Sequence, residues 1–97
     1  MLRHVALFRW IDGTTGDDVE AIRQALNALP AVIPALRDYR TGQDAGLAGG
    51  NWDFAVVADV DDVAGWQAYV DHPAHQKVAA ELIRPRIGER AAVQYEL

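Results

Sequence analysis

The chain has 97 residues, 51% of them hydrophobic and 24% charged, with a net charge of −5 and no cysteine. This length allows one domain with a single core, the acidic balance argues against nucleic-acid binding, and the missing cysteines exclude disulfides, thiolate metal sites and a cysteine nucleophile. No apolar run approaches the ~20 residues that cross a bilayer and the first residues do not resemble a signal peptide, so we expect a cytoplasmic protein without a membrane partner.

The first predicted strand runs from His4 to Ile11, where β-branched and aromatic residues precede an Asp-Gly turn. Side chains alternate along a strand, and both faces of this one are largely apolar. A helix then begins at a capping signal, Thr15 with Asp18 three residues later. Pro30 ends or kinks this helix. Its apolar stripe, spaced 3, 4, 3 and 4, comprises Val19, Ile22, Leu26, Leu29 and Ile33.

The remaining elements follow from the same signals of alternation, capping and proline placement. The second helix is interrupted at His72, because the residue before a proline is pushed out of the α region. In chain order we predict a polar strand (36–43), a glycine-rich loop (44–50), a strand (51–60), a helix capped by Asp61 or Asp62, a further helix from Pro73 to about Arg84, and a last strand (87–97).

The order βαββαβ predicts an α+β protein with a four-stranded antiparallel sheet and both helices on one sheet face. The first and third strands, however, offer apolar residues to both faces. The face left uncovered would be about as large as the apolar patch that a monomer tolerates. We therefore expect that this face meets a second copy of the chain, giving a homodimer.

Three histidines are the candidate general bases, because only histidine titrates near neutral pH without help. His75 points inward if its helix buries Val78, and it is then a core histidine or a base lining a pocket. His4 could open into the same cavity if its strand face meets the helices. His72 is expected to cap the short helix or to hydrogen-bond a carbonyl. The spacing of His72 and His75, with His4 as a third ligand, is a weak metal pattern, and we expect no metal.

The aromatic residues near the histidines can be interpreted as core packing or as part of a functional site. Tyr69 lies one helical turn after Trp66, a spacing typical of core packing. A tyrosine hydroxyl beside a histidine can also polarise a carbonyl while the base removes the adjacent proton. Trp52 and Phe54 are pocket wall on the functional reading and plain core on the other. Serine chemistry is excluded, since the chain contains no serine.

Four stretches of the sequence form a further pattern, namely HVALFRW at 4–10, Leu29-Pro30 with IPAL at 33–36, NWDFAVV at 51–57 with Asp61-Asp62, and YVDHPAHQ at 69–76. Together they resemble the stress-responsive α/β-barrel (Dabb) domain family, almost from end to end. The resemblance implies a ferredoxin-like protomer and a homodimer in which two sheets form a dimeric α/β barrel. The most specific segment is the Tyr-x-x-His-Pro-x-His motif.

The family resemblance implies functional diversity, from uncharacterised stress-induced members to olivetolic acid cyclase-like polyketide cyclases that perform an aldol condensation without a cofactor. In such a cyclase the positions of His75 and Tyr69 are the base and its assistant, and the position of His4 lies in the cavity. The present chain departs from it at Phe54, where the cyclase has a histidine, and at Leu26, where it has a tyrosine. The substrate-binding part is therefore not carried over.

Our first hypothesis is a cofactor-free protein that binds a small carbonyl-containing or polyketide-like compound, possessing a catalytic set of His75, Tyr69 and His4. A second is a non-catalytic stress or assembly protein whose histidines hold the helix break together. A third, a monooxygenase or isomerase of a related dimeric α/β-barrel family, rests on fold analogy alone. The residues expected to contact substrate are Phe8, Trp52, Phe54, Trp66 and His72.

Overall fold

The computed structural model describes all residues, 1–97, as one four-stranded antiparallel sheet with helices on one of its faces. The strand order is β2-β3-β1-β4, and the α+β, ferredoxin-like class predicted from the sequence is confirmed. A π-helix at Ala79–Ile83 and short 3-10 turns at Leu29–Ala31 and Arg84–Arg86 complete the chain. The strands and α-helices are β1 (Leu2–Trp10), α1 (Gly16–Asn27), β2 (Asp38–Gln43), β3 (Phe54–Val60), α2 (Val63–Asp71), α3 (Pro73–Val78) and β4 (Ile87–Glu96).

Helix α1 begins at the predicted capping box. The Thr15 side chain accepts a hydrogen bond from the Asp18 amide, and the Asp18 carboxylate accepts one from the Thr15 amide, at 3.1 and 3.0 Å. The predicted stripe is buried, but its last two members lie beyond the helix. Leu29 is in a 3-10 turn and Ile33 follows it, because Pro30 cannot continue the α-helical hydrogen bonds.

Strand β3 begins at Phe54, three residues later than predicted, because Asp53 makes a different set of bonds. The Asp53 carboxylate accepts from the backbone amide of Trp10 at 2.9 Å, and its own amide donates to the Phe8 carbonyl. This arrangement closes the glycine-rich loop onto β1. Of the other strand ends, those at Gln43, Val60 and Ile87 coincide with the prediction, and the rest differ from it by one or two residues.

Helices α2 and α3 meet at a break centred on His72, as predicted from the following proline. His72 has extended backbone dihedrals, and its Nδ1 accepts a hydrogen bond from the Ala74 amide at 3.0 Å, which caps α3. Asp62, rather than Asp61, caps α2 through the Gly65 amide. Neither helix, nor α1, has the length and apolar character needed to cross a membrane.

The two faces of the sheet have different surroundings. Side chains at even positions of β1 are packed under the helices, whereas those at odd positions form an outer face. Ion pairs of Arg3 with Asp59 and of Arg9 with Glu89 lie on that outer face. Between them is an apolar patch, called here the outer patch, which consists of Val5, Leu7, Ala55, Val57, Ala91 and Val93.

Candidate functional site

A cavity of about 480 Å³ lies between the sheet and the segment that runs from α3 into β4. His4 and His75 both open into it, as predicted from the strand face of His4, and Tyr69 lines it with them. Arg84, Glu89 and Arg90 contribute its charged lining. The apolar lining consists of Ala6, Phe8, Leu26, Val56, Ala79, Ile83 and Ile87.

The hydrogen bonds of His75 determine which ring nitrogen carries its proton. Its Nδ1 lies 3.1 Å from the carbonyl oxygen of Val70. A carbonyl oxygen can only accept, so Nδ1 must be the protonated donor. Burial lowers the pKa of His75 below its ordinary value of 6.5. The positive charges of Arg90 and Arg84 lower this pKa further, whereas the hydrogen bond to Val70 raises it. The neutral ring therefore keeps a lone pair on Nε2, which makes no hydrogen bond within the protein.

His4 has the opposite tautomer. Its Nδ1 faces the indole Nε1 of Trp66 at 3.4 Å and the side-chain amide of Gln94 at 2.8 Å. An indole N–H only donates, so Nδ1 of His4 is an acceptor and the proton is on Nε2. Burial, with a smaller contribution from Arg90 and His75, lowers the pKa of His4 to about 4. His4 is therefore a neutral N–H donor at physiological pH.

Tyr69 lies between the two histidines. Its ring centroid is 4.6 Å from that of His75 and 6.0 Å from that of His4. Its hydroxyl is 3.0 Å from the hydroxyl of Tyr39, which lies outside the cavity. Burial raises the pKa of Tyr69 above 10, so its phenol stays protonated. If Tyr39 donates to this oxygen, the hydroxyl hydrogen of Tyr69 is free to donate to a ligand.

The cavity thus combines one lone pair with hydrogen-bond donors. The Nε2 atom of His75 can accept a proton, while Tyr69 and His4 can donate to an oxygen that gains negative charge. No group of three or more histidine, aspartate, glutamate or cysteine side chains is arranged to hold a metal ion. The arrangement is suited to proton transfer next to a carbonyl group.

Of the residues expected to contact substrate, only Phe8 lines this cavity. Phe54 is 1% exposed and stacks on Phe8 in the core, with centroids 6.3 Å apart. Trp66 lies behind His4, where its indole donates to the ring. The structure thus corrects the expectation that Phe54 and Trp66 are part of the wall of this cavity.

The other two expected contacts lie elsewhere for local reasons. His72 uses its Nδ1 in the cap of α3, so it serves the helix break and does not line the cavity. Trp52 precedes β3, and the Arg9 guanidinium covers its ring at 4.2 Å on the outer side of the sheet. Asp53 turns the chain at this point, and the predicted strand alternation therefore does not reach Trp52.

Three features of the site were not predicted. The π-helix Ala79–Ile83 widens the turn that brings Arg84 to the cavity, and single π-turns are common at functional sites. The apolar spacing of this segment is also compatible with an ordinary α-helix, so the sequence carries no signal for it. Arg90 could have been found, since strand alternation places it opposite Phe8 on the helix-facing side. Tyr39, the partner of the Tyr69 hydroxyl, lies in a strand predicted only as polar.

Comparisons with known proteins agree with this architecture. The family model described as Stress responsive A/B Barrel Domain matches residues 2–97. An uncharacterized protein of Streptomyces coelicolor is 33% identical over 78 residues, covering 78% of this chain and 80% of that protein.

Two solved structures extend the comparison. A dimeric ferredoxin-like protein of unknown function from Thermobifida fusca has 53% identity and a TM-score of 0.92, and the match covers 99% of this chain and 90% of that one. A hydroxynitrile lyase from Passiflora edulis has 17% identity and a TM-score of 0.84, with 97% and 90% covered. At that identity the likeness is one of fold alone.

Proposed function

The chain belongs to the stress responsive A/B barrel domain family, and on that premise we propose that it forms a homodimer whose cavity binds a small carbonyl compound and catalyses proton transfer. The observation that carries this proposal is the tautomer of His75. Its Nδ1–H is held by the Val70 carbonyl, and its Nε2 lone pair is therefore left for a ligand in the cavity. A neutral imidazole with a lowered pKa is ready to accept a proton at physiological pH.

The developing negative charge would be stabilised by Tyr69. Removing a proton next to a carbonyl leaves an enolate whose charge resides largely on oxygen, and a buried hydroxyl stabilises it strongly. When Tyr39 is the donor in its 3.0 Å hydrogen bond with Tyr69, the Tyr69 hydroxyl hydrogen becomes a better donor to the ligand. His4, with its Nε2–H, would hold a second substrate oxygen, and Trp66 would be a positioning residue that fixes the tautomer of His4.

We propose an intramolecular aldol cyclisation as the reaction, in keeping with the resemblance to cofactor-free polyketide cyclases. Nε2 of His75 takes a proton from a carbon between two carbonyls, and the electron pair becomes the enolate. The enolate carbon attacks a second carbonyl of the same molecule, forming a carbon–carbon bond and an alkoxide. The His75 imidazolium returns its proton to that alkoxide, so the catalyst is regenerated.

The test is incubation of the protein with a linear poly-β-ketone in deuterated buffer, followed by mass spectrometry and NMR. Wild type should exchange the proton between the carbonyls and give a cyclised product, and His75→Gln should lose both activities. A cyanohydrin belongs in the substrate panel, because a protein of the same fold is named a hydroxynitrile lyase. The matched control is His72→Asn, which can keep the cap of α3 and leaves the cavity intact. Turnover that is unchanged in His75→Gln would refute the mechanism.

A homodimer is supported by the outer patch and by a relative. Val93 is 55% exposed within this patch, which is rimmed by ion pairs. An apolar surface with a polar rim is typical of an interface. The Thermobifida fusca structure at 53% identity is described as dimeric. We infer that two such sheets pack face to face, each protomer keeping its own cavity.

A second candidate function is a non-catalytic stress or assembly role, which the helix break favours. The side chains of His72 and His75 both bridge this break, one capping α3 and the other bonding to the last turn of α2 at Val70. On this reading His75→Ala lowers the melting temperature while no cavity ligand is lost. The catalytic function would instead be favoured if His75→Ala abolished proton exchange of the cavity ligand while its melting temperature equalled that of His72→Ala.

A further inference from the structure

The arginines of the chain fall into two groups according to whether they have a carboxylate partner. Of the eight arginines in the sequence, six form ion pairs with aspartate or glutamate. The other two, Arg84 and Arg90, have neither an ion pair nor a hydrogen bond to another side chain, and both line the cavity. The paired arginines are Arg3, Arg9, Arg23, Arg37, Arg40 and Arg86.

No cavity group neutralises these two charges. His4 and His75 are neutral, and Tyr69 is protonated. Glu89 is the one carboxylate in the lining, and it is bound by Arg9, its neighbour across the strands on the outer face. In a chain with a net charge of −5, the cavity therefore has a local excess of positive charge.

The local fold separates the two unpaired arginines from the paired one. Arg86 follows Arg84 in the same 3-10 turn, but it donates to the Leu82 carbonyl and pairs with Asp18 on α1. Arg86 thereby anchors the turn, while Arg84 faces the cavity beyond the π-helix. Arg90 comes from the opposite wall, on the helix-facing side of β4.

We propose that Arg84 and Arg90 bind the oxyanion head group of the ligand, a carboxylate or a phosphate, while the apolar lining holds its body. Guanidinium groups recognise both oxyanions through paired hydrogen bonds. The substrate class is therefore an acidic carbonyl compound, such as a keto acid or a keto phosphate. This assignment rests on the proposed function only for the carbonyl, since the anion site itself follows from the arginines.

The test is a calorimetric binding series with three probes that share one alkyl chain, namely octanoate, octyl phosphate and octanamide. Wild type should bind at least one of the two anions about ten-fold more tightly than the neutral amide. This preference should fall by about three-fold in either Arg84→Gln or Arg90→Gln, vanish in the double variant, and weaken as salt is added. Arg23→Gln removes the same charge at a distant surface pair and should leave it unchanged.

Three results would overturn the anion site. They are equal affinity for the anions and octanamide, no saturable binding of either anion, or a preference that persists in the double variant with an unchanged melting temperature. The preferred anion identifies the head group as carboxylate or phosphate. His75→Gln should keep the anion preference, so a failure of the base mechanism and a failure of the anion site are seen in different variants and different assays.

Discussion

Folding stability should decrease as pH falls from about 7 to about 5, and His4→Gln should remove much of that decrease. The pKa of His4 is about 4 in the fold and 6.5 ordinarily. Between these values the unfolded chain binds a proton that the folded chain excludes, so acidification favours unfolding. The stability associated with the neutral His4 ring is fully present above pH 6.5, and it is lost progressively as the pH falls from 6.5 through about 4.

The magnitude follows from the two pKa values. Lowering the pH from about 7 to about 5 costs about 2 kcal/mol of unfolding free energy for a group shifted in this way. Solvent that enters the cavity screens the ring, which reduces the expected loss from His4 to about 1 kcal/mol. The pKa of His75 is lowered in the same direction, so His75 adds to the loss. The shifted carboxylates, Asp18, Glu20, Asp59 and Asp61, have pKa values below the ordinary range and contribute little in this window.

The assay is urea unfolding followed by circular dichroism at both pH values, for wild type, His4→Gln, His75→Gln and the double variant. Each single variant should show a smaller pH difference than wild type, and the double variant should be nearly flat. Wild type that is equally stable at both pH values, or a pH difference unchanged in His4→Gln, would refute the buried neutral state of His4.

Three further predictions concern the helix cap, the hydroxyl pair and the outer patch. Thr15→Ala should lower the unfolding free energy by about 1 kcal/mol in thermal unfolding, and an equal loss from the neighbouring Thr14→Ala would contradict the capping box. Tyr69→Phe should reduce kcat about 100-fold, and Tyr39→Phe should reduce it about ten-fold. A kcat of Tyr69→Phe equal to that of wild type would exclude Tyr69 as the oxyanion donor. Val93→Asp should give a monomer in size-exclusion chromatography with light scattering at micromolar concentration, whereas wild type that is itself monomeric would refute the proposed dimer.

The fold could be predicted because local signals and hydrophobic periodicity agreed with each other. The capping box at Thr15, the helix break before Pro73 and the apolar alternation of β1 each specify one element. The start of β3 could not be predicted in the same way. It depends on the bond between Asp53 and the Trp10 amide, a contact across 43 positions of sequence that no local pattern encodes.

The sequence was sufficient to predict which reactive residues meet at the candidate site, but not which residues line the wall of its cavity. His4, Tyr69 and His75 meet at the cavity, but four aromatic or histidine residues assigned to its wall have other partners. Periodicity shows which face a side chain takes and cannot show whether that face is filled or open. The position of Arg84 in the cavity lining depends on a π-turn, and the hydrogen-bond register of such a turn has no compositional signature.

The central claim, that His75 holds a free lone pair in the cavity, can be measured without knowing the substrate. Long-range nitrogen–proton correlation NMR on the labelled protein at neutral pH identifies the protonated nitrogen of each histidine ring. We expect a neutral His75 with its proton on Nδ1 and a neutral His4 with its proton on Nε2. A His75 proton on Nε2, or an imidazolium at neutral pH, would contradict the account.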